Sequence, residues 1–122
     1  MNHILSIDCG TTSTRAIIFD QHYQMVHIEQ QDLPIHHPQS DWVEQSPNDI
    51  WSLTQSCLTK ALETINPASV NAIGITNQRE TSIIWDKETG QAIGPAISWQ
   101  CRRTTDTCQQ LSSYAKTIRN KT

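Results

Sequence analysis

Apolar residues fall in short bursts along this chain, and the spacing inside each burst predicts an element. Ile4, Leu5 and Ile7 run up to Asp8 and predict a buried strand over His3 to Asp8. Gly10-Thr11-Thr12-Ser13, small and hydroxylated, breaks that run. Ala16-Ile17-Ile18-Phe19 predicts a second strand over Arg15 to Asp20, Asp20 to Tyr23 a turn, and Met25-Val26-His27-Ile28 a third strand. Short strands joined by tight turns make an antiparallel meander. Residues 32–46, with Pro34 and Pro38, predict a surface loop.

The period then changes to that of a helix. Ser46 is placed as an N-cap, Pro47 suits the first helical position, and Asp49 stands three after the cap. Ile50, Leu53, Cys57, Leu58, Ala61, Leu62 and Ile65 recur on one face until Asn66-Pro67 stops the helix. Val70 to Thr76 predicts a fourth strand, which can lie parallel to the first because a helix intervenes. Ser82 to Trp85 and Ala96 to Trp99 predict two more, and the turn over residues 86–90 uses Gly90 for a positive φ. A last helix begins at Thr104 or Thr105, with Cys108, Leu111, Ala115 and Ile118 on one face. The order β-β-β-α-β-β-β-α belongs to the α/β or α+β class. The sequence ends straight after that helix with nothing that closes a domain or a site, so a fragment is expected.

Composition narrows the function. The 122 residues are one domain's worth. Mean hydropathy is −0.50 and no run of 18 apolar residues occurs, which excludes a membrane-spanning helix. Met1 to Leu5 meets Asp8 too soon for a signal peptide. Net charge is −3, and the single adjacent basic pair is Arg102-Arg103, so the basic footprint of a nucleic-acid partner is missing. Cys9, Cys57, Cys101 and Cys108 form no C-x-x-C pair and are expected as reduced thiols in the cytoplasm.

Three stretches carry chemistry. In Asp8-Cys9-Gly10-Thr11-Thr12-Ser13-Thr14-Arg15, Gly10 permits a tight turn whose N–H groups can face a phosphate. Thr11, Thr12 and Ser13 offer hydroxyl donors, Arg15 a charge-assisted one, and Asp8 a carboxylate for Mg²⁺, directly or through water. An ordinary polar hairpin turn has the same make-up. Thr76-Asn77-Gln78-Arg79-Glu80 follows a strand's carboxyl end, where open α/β sheets bind ligands. There Arg79 and Glu80 give a polyol both a donor fork and an acceptor, although a solvated charged turn reads alike. In Trp99-Gln100-Cys101-Arg102-Arg103 the indole offers a flat wall for a carbon chain, or simply a core tryptophan. Trp42, Trp51 and Trp85 are expected to serve packing, and Asp41 to Ser46 a hydrophobic staple before the helix.

Together these strings resemble the FGGY family of carbohydrate kinases, and within it the glycerol kinases. The resemblance spans essentially the whole chain. It rests on Ile7-Asp8-x-Gly10-Thr11-Thr12-Ser13-x-Arg15, Trp42-Val43-Glu44, Ile73 through Thr81, and Trp99 through Thr104. It implies the RNase H-like, actin-like ATPase fold, with residues 1–122 as an incomplete N-terminal part of the first domain. It implies that Thr11, Thr12, Ser13 and Arg15 meet the phosphates of ATP, that Asp8 lies near Mg²⁺, and that Arg79, Glu80 and Trp99 hold glycerol. The implied reaction moves the γ-phosphate of ATP to a terminal hydroxyl of glycerol, giving glycerol 3-phosphate and ADP.

The general-base aspartate, the adenine pocket and a glycerol-contacting tyrosine of the family lie past Thr122. No catalytic residue is therefore assigned here, and the chain alone is expected to be inactive. The intact enzyme is expected to be a homo-oligomer. Cys9 stands where family members commonly have Gln, with an effect expected on packing. Two rival readings remain. One is a non-catalytic binding or interaction module on the same fold. The other is an actin-like or chaperone-like ATPase, which would share the hairpin but not the strings 77–81 and 99–104.

Overall fold

The computed structural model describes residues 2–122. Alternation in β1 (His3–Cys9) and β2 (Ser13–Phe19) sends Leu5, Ile7, Ala16 and Ile18 to one face, where all four are buried. The strands pair antiparallel, with Leu5 opposite Ile18 and Asp8 opposite Arg15. β3 (Met25–Asp32) pairs antiparallel with β2 and runs past the expected Ile28. Its second half, Glu29-Gln30-Gln31-Asp32, is an edge segment whose polarity hides it from periodicity.

The helix α1 (Pro47–Glu63) begins as its sequence dictates, with Ser46 Oγ accepting from the Asp49 N–H at 3.1 Å and Pro47 in the first turn. It lays Cys57 and Ala61 on the buried face, chiefly over β2 and β3, and Thr54 Oγ1 pairs with Thr14 Oγ1 at 2.8 Å inside the contact. Asn66 Oδ1 then accepts from the Ala68 N–H, opening a 3-10 turn over Pro67–Ser69. β5 (Val70–Thr76) leaves that turn parallel to β1, with Asp8 beside Thr76, and the sheet order is β3-β2-β1-β5. The meander and the parallel fourth strand are as expected. α1 does not reach over β5, so Ile73 and Ile75 are 59% and 73% exposed.

The second half departs from the sequence reading. Ser82 to Trp85 is not a strand; only single bridges join Ser82 to Ile97 and Trp85 to Ala92. Gly94-Pro95 makes the second arm longer than the first, and Pro95 has no N–H to give, so no continuous ladder forms. Of the strand expected over Ala96 to Trp99, only β6 (Ala96–Ile97) forms, against an unexpected two-residue strand, β4 (Glu44–Gln45). Two residues show no period to read. The expected last helix is α2 (Thr105–Gln110), a 3-10 turn over Leu111–Tyr114, and α3 (Ala115–Arg119). None of these pieces buries a residue, and a short helix without tertiary contacts gains little from propensity alone. The observed order is therefore β-β-β-β-α-β-β-α-α. Trp51 and Trp85, expected as packing residues, are more than half exposed.

Candidate phosphate and polyol site

Gly10 makes the β1–β2 turn possible. Its N–H donates to Ser13 O at 3.0 Å, and a Cβ at this position would lie only 2.8 Å from that same oxygen. The Leu33 N–H donates to Thr12 O at 2.8 Å and fastens the turn to the exit of β3. Thr11 is half-buried and Thr12 exposed, whereas Ser13 is 5% exposed at the head of β2. Burial leaves Ser13 the least accessible of the three expected phosphate donors.

Cross-strand register puts Arg15 beside Asp8, with Nη1 3.5 Å from Oδ2. Arg15 Nε is buried and has no hydrogen-bond partner among the described residues. A donor in that state is costly unless an acceptor arrives, and an anion at the turn would supply one. Asp8 is the only carboxylate paired there, and the described residues hold no group of three His, Cys, Asp or Glu side chains able to cage a metal. A Mg²⁺ carried mainly by phosphate oxygens needs only one or two protein carboxylates, so the single Asp8 fits that role and no larger one.

Past the carboxyl end of β5 the chain turns back toward the hairpin. Thr11, Asn77, Gln78, Arg79, Glu80 and Trp99 line one open cavity of about 310 Å³. Three stretches far apart in sequence thus meet at one cavity. Arg79 and Glu80 are exposed and stand in none of the ion pairs among the described residues, so both heads are free for a ligand. Glu80 has φ 61°, a left-handed backbone that a non-glycine residue adopts at a cost. The Trp99 ring is half exposed, and its Nε1–H donates to Thr11 Oγ1 at 3.0 Å. Asp8, Thr12, Ser13 and Arg15 lie outside the cavity lining, along the adjoining hairpin.

Sequence reasoning missed two arrangements. Arg103 lies over the Trp42 ring at 3.8 Å, donates to Glu44 Oε1 at 2.6 Å, and places Nε 2.9 Å from Cys101 Sγ. The hydrogen bond with Cys101, then that with Glu44, holds the guanidinium above its usual range. Burial pushes the Cys101 thiol up, but backbone N–H groups of Arg103 and Val43 and the guanidinium outweigh it and hold the thiol below its ordinary value. Trp42 thus serves this clasp as well as the approach to α1. The other arrangement joins Gln45 and Gln78 to the hairpin; Gln78 lies within the 76–80 string, but the sequence reading gives neither glutamine a role of its own. Cys9 packs against the core, with Sγ 3.7 Å from Thr54 Oγ1.

The sheet order and the likeness to solved sugar kinases define the class, an α/β domain of the actin-like ATPase fold. The FGGY family of carbohydrate kinases, N-terminal domain, matches residues 3–122. The chain belongs to that family. It is 49% identical over 112 residues to a glycerol kinase of Pseudomonas savastanoi pv. phaseolicola, covering 90% of this chain and 22% of that protein. It is 47% identical over 115 residues to one from Nitrobacter hamburgensis, covering 93% and 23%. The crystal structure of Plasmodium falciparum glycerol kinase with ADP superposes with a TM-score of 0.84 at 31% identity, over 93% of this chain and 23% of that one. A xylulose kinase from Lactobacillus acidophilus gives 0.84 at 18% identity, which shows the fold alone. The chain spans under a quarter of the length of the curated relatives it matches. Among the described residues, no helix is long and apolar enough to cross a membrane.

Proposed function

We propose that residues 1–122 are the N-terminal part of the first domain of an ATP-dependent kinase that phosphorylates glycerol to glycerol 3-phosphate. The observation that carries this reading is the meeting of Thr11 with Arg79, Glu80 and Trp99 around one cavity. A triol needs donors and acceptors alternating over a few ångströms beside an apolar surface, and a guanidinium, a carboxylate and an indole supply them. Arg79 donates to hydroxyl oxygens, Glu80 accepts hydroxyl protons, and Trp99 covers the carbon backbone and excludes water. Thr11 and Thr12 donate to phosphate oxygens from the hairpin, and Arg15 brings its positive charge from beside Asp8. Ser13 contributes by shaping the turn through its carbonyl, which holds the Gly10 N–H. When bound, Mg²⁺ neutralises charge on the phosphates, and Asp8 is the residue that would hold it.

Phosphoryl transfer relies mainly on positioning and charge stabilisation, and this chain supplies one side of each. On this reading the general base on the glycerol hydroxyl is not among these residues. We infer that the chain by itself binds without turning over. A cytoplasmic setting suits its four free cysteines.

Calorimetry of the chain with glycerol and with a non-hydrolysable ATP analogue tests the reading. Binding of both is expected, with glycerol affinity cut by about 10-fold or more in Arg79→Ala and Glu80→Ala, the usual cost of stranding a charged hydrogen-bond partner. Unchanged glycerol affinity in both variants would refute it. Glycerol-dependent ADP release by the chain alone would refute the division of labour.

A further inference from the structure

We propose that Gln78, backed by Gln45, is a positioning residue that ties the polyol cavity to the phosphate turn, so that occupancy of one sets the geometry of the other. The inference rests on the glycerol and phosphate reading given above. Its basis is a closed ring of hydrogen bonds. Gln45 is 1% exposed and donates through Nε2 to Thr11 O at 2.7 Å. Gln78 uses its two amide protons on Gly10 O at 2.9 Å and on Gln45 Oε1 at 2.8 Å. Gln78 Oε1 accepts from Thr81 Oγ1 at 3.0 Å, and Thr81 Oγ1 accepts in turn from the Trp99 N–H at 3.2 Å. Trp99 closes the ring by donating Nε1–H to Thr11 Oγ1 at 3.0 Å.

The ring has one consistent orientation. The carbonyls of Gly10 and Thr11 can only accept, so both glutamines must present Nε2 to them. Gln45 Oε1 is then left facing Gln78 Nε2, and reversing either amide would set like groups against each other. A connected polar network of this kind transmits displacement better than isolated contacts, because the Gln45 and Gln78 amides and the Thr81 hydroxyl each hold at least two bonds that rotation would break. Its ends matter chemically. At one end, Gln78 and Trp99 line the polyol cavity; at the other, two successive carbonyls of the turn are fixed. Thr11 Oγ1, already accepting from Trp99, keeps its own proton for a phosphate oxygen. A polyol seated on Trp99 therefore acts on the group that meets the nucleotide.

The experiment is nuclear magnetic resonance of the labelled chain, following the Gly10 and Thr11 amides and the Trp99 indole N–H during a glycerol titration. Thr81→Val removes the hydroxyl link with little change of volume, and Thr81→Ser retains the hydroxyl. Glycerol is expected to move the Trp99 indole and both turn amides in the parent chain. In Thr81→Val it should still move the indole and, through the direct Trp99 Nε1–Thr11 Oγ1 bond, the Thr11 amide, but leave the Gly10 amide still; all three should move again in Thr81→Ser. Saturating glycerol should also tighten binding of the ATP analogue by about 5-fold or more, the lower end of ordinary coupling, and Thr81→Val should bring that ratio towards one.

Glycerol shifts at Trp99 with silent turn amides would overturn the relay while leaving the glycerol reading intact. If glycerol moves no signal, the glycerol reading of this chain fails. The relay is then judged without ligand. Displaced Gly10 and Thr11 amides in Thr81→Val, restored in Thr81→Ser, support it, and unmoved amides overturn it.

Discussion

Arg103 stacks on Trp42 at 3.8 Å, and this contact joins the segment before α1 to the segment before α2. A guanidinium can stack, pair with Glu44 and approach Cys101 at once because its donors lie in one plane. An ammonium cannot, so Arg103→Lys should lower the thermal midpoint of the chain even though charge is kept. The more specific consequence falls on Cys101. With the guanidinium gone, the thiol should rise back towards its ordinary value. The pH profile of Cys101 alkylation, followed by mass spectrometry, should then shift to higher pH. An unmoved profile would mean that Arg103 does not hold the thiolate.

Gly10→Ala should be severe for its size. The added carbon would meet Ser13 O at 2.8 Å, and that atom is backbone, with no side chain to swing away. A loss of about 1–3 kcal/mol in urea denaturation is expected, within the range for overpacked sites. Binding of the ATP analogue should fall with it. A variant as stable as the parent would show that the turn can open freely.

Glu80→Gly should separate stability from binding. The left-handed backbone at Glu80 costs about 1–3 kcal/mol for a residue with a Cβ, and glycine removes that cost while adding a smaller loss of unfolded-state entropy. The variant should unfold at higher urea, by about 1 kcal/mol, and bind glycerol poorly. Equal or lower stability would deny the strain.

Two changes probe how α1 is held. Ser46→Ala removes the cap on the Asp49 N–H and should cost about 1 kcal/mol. Thr54→Val leaves the buried Thr14 hydroxyl without its 2.8 Å partner and should cost about 1–3 kcal/mol. If the double variant costs much less than the sum, the two sites share one opening motion of the helix.

Elements that bury a stripe were legible in the sequence. Leu5 with Ile7, Ala16 with Ile18, and Cys57 with Ala61 show their period because each set faces the same core. Cys108, Leu111, Ala115 and Ile118 show a helical spacing as well, but none of them is buried, and their helix breaks into short pieces. Ser82 to Trp85 has strand composition and lacks a partner of matching length. At the site, charged and aromatic residues announced themselves. Gln78 stood inside the 76–80 string without a role of its own and Gln45 gave no sign, because a glutamine's role lies wholly in what its amide meets, and here that is main chain from another part of the molecule.

Among the described residues, β5 has one neighbour in the sheet, β1, and no helix over Ile73 and Ile75. The hairpin proposed to meet phosphate sits between β1 and β2, both flanked on each side and roofed by α1. The two halves of the site therefore hang from parts of unequal strength. A partial opening that frees β5 would carry Arg79 and Glu80 away while the Gly10 turn stayed folded. Hydrogen exchange should show this as two tiers of protection, low along Val70 to Thr76 and high along Leu5 to Ile18. Glycerol recognition would then fade at milder denaturant than phosphate recognition does.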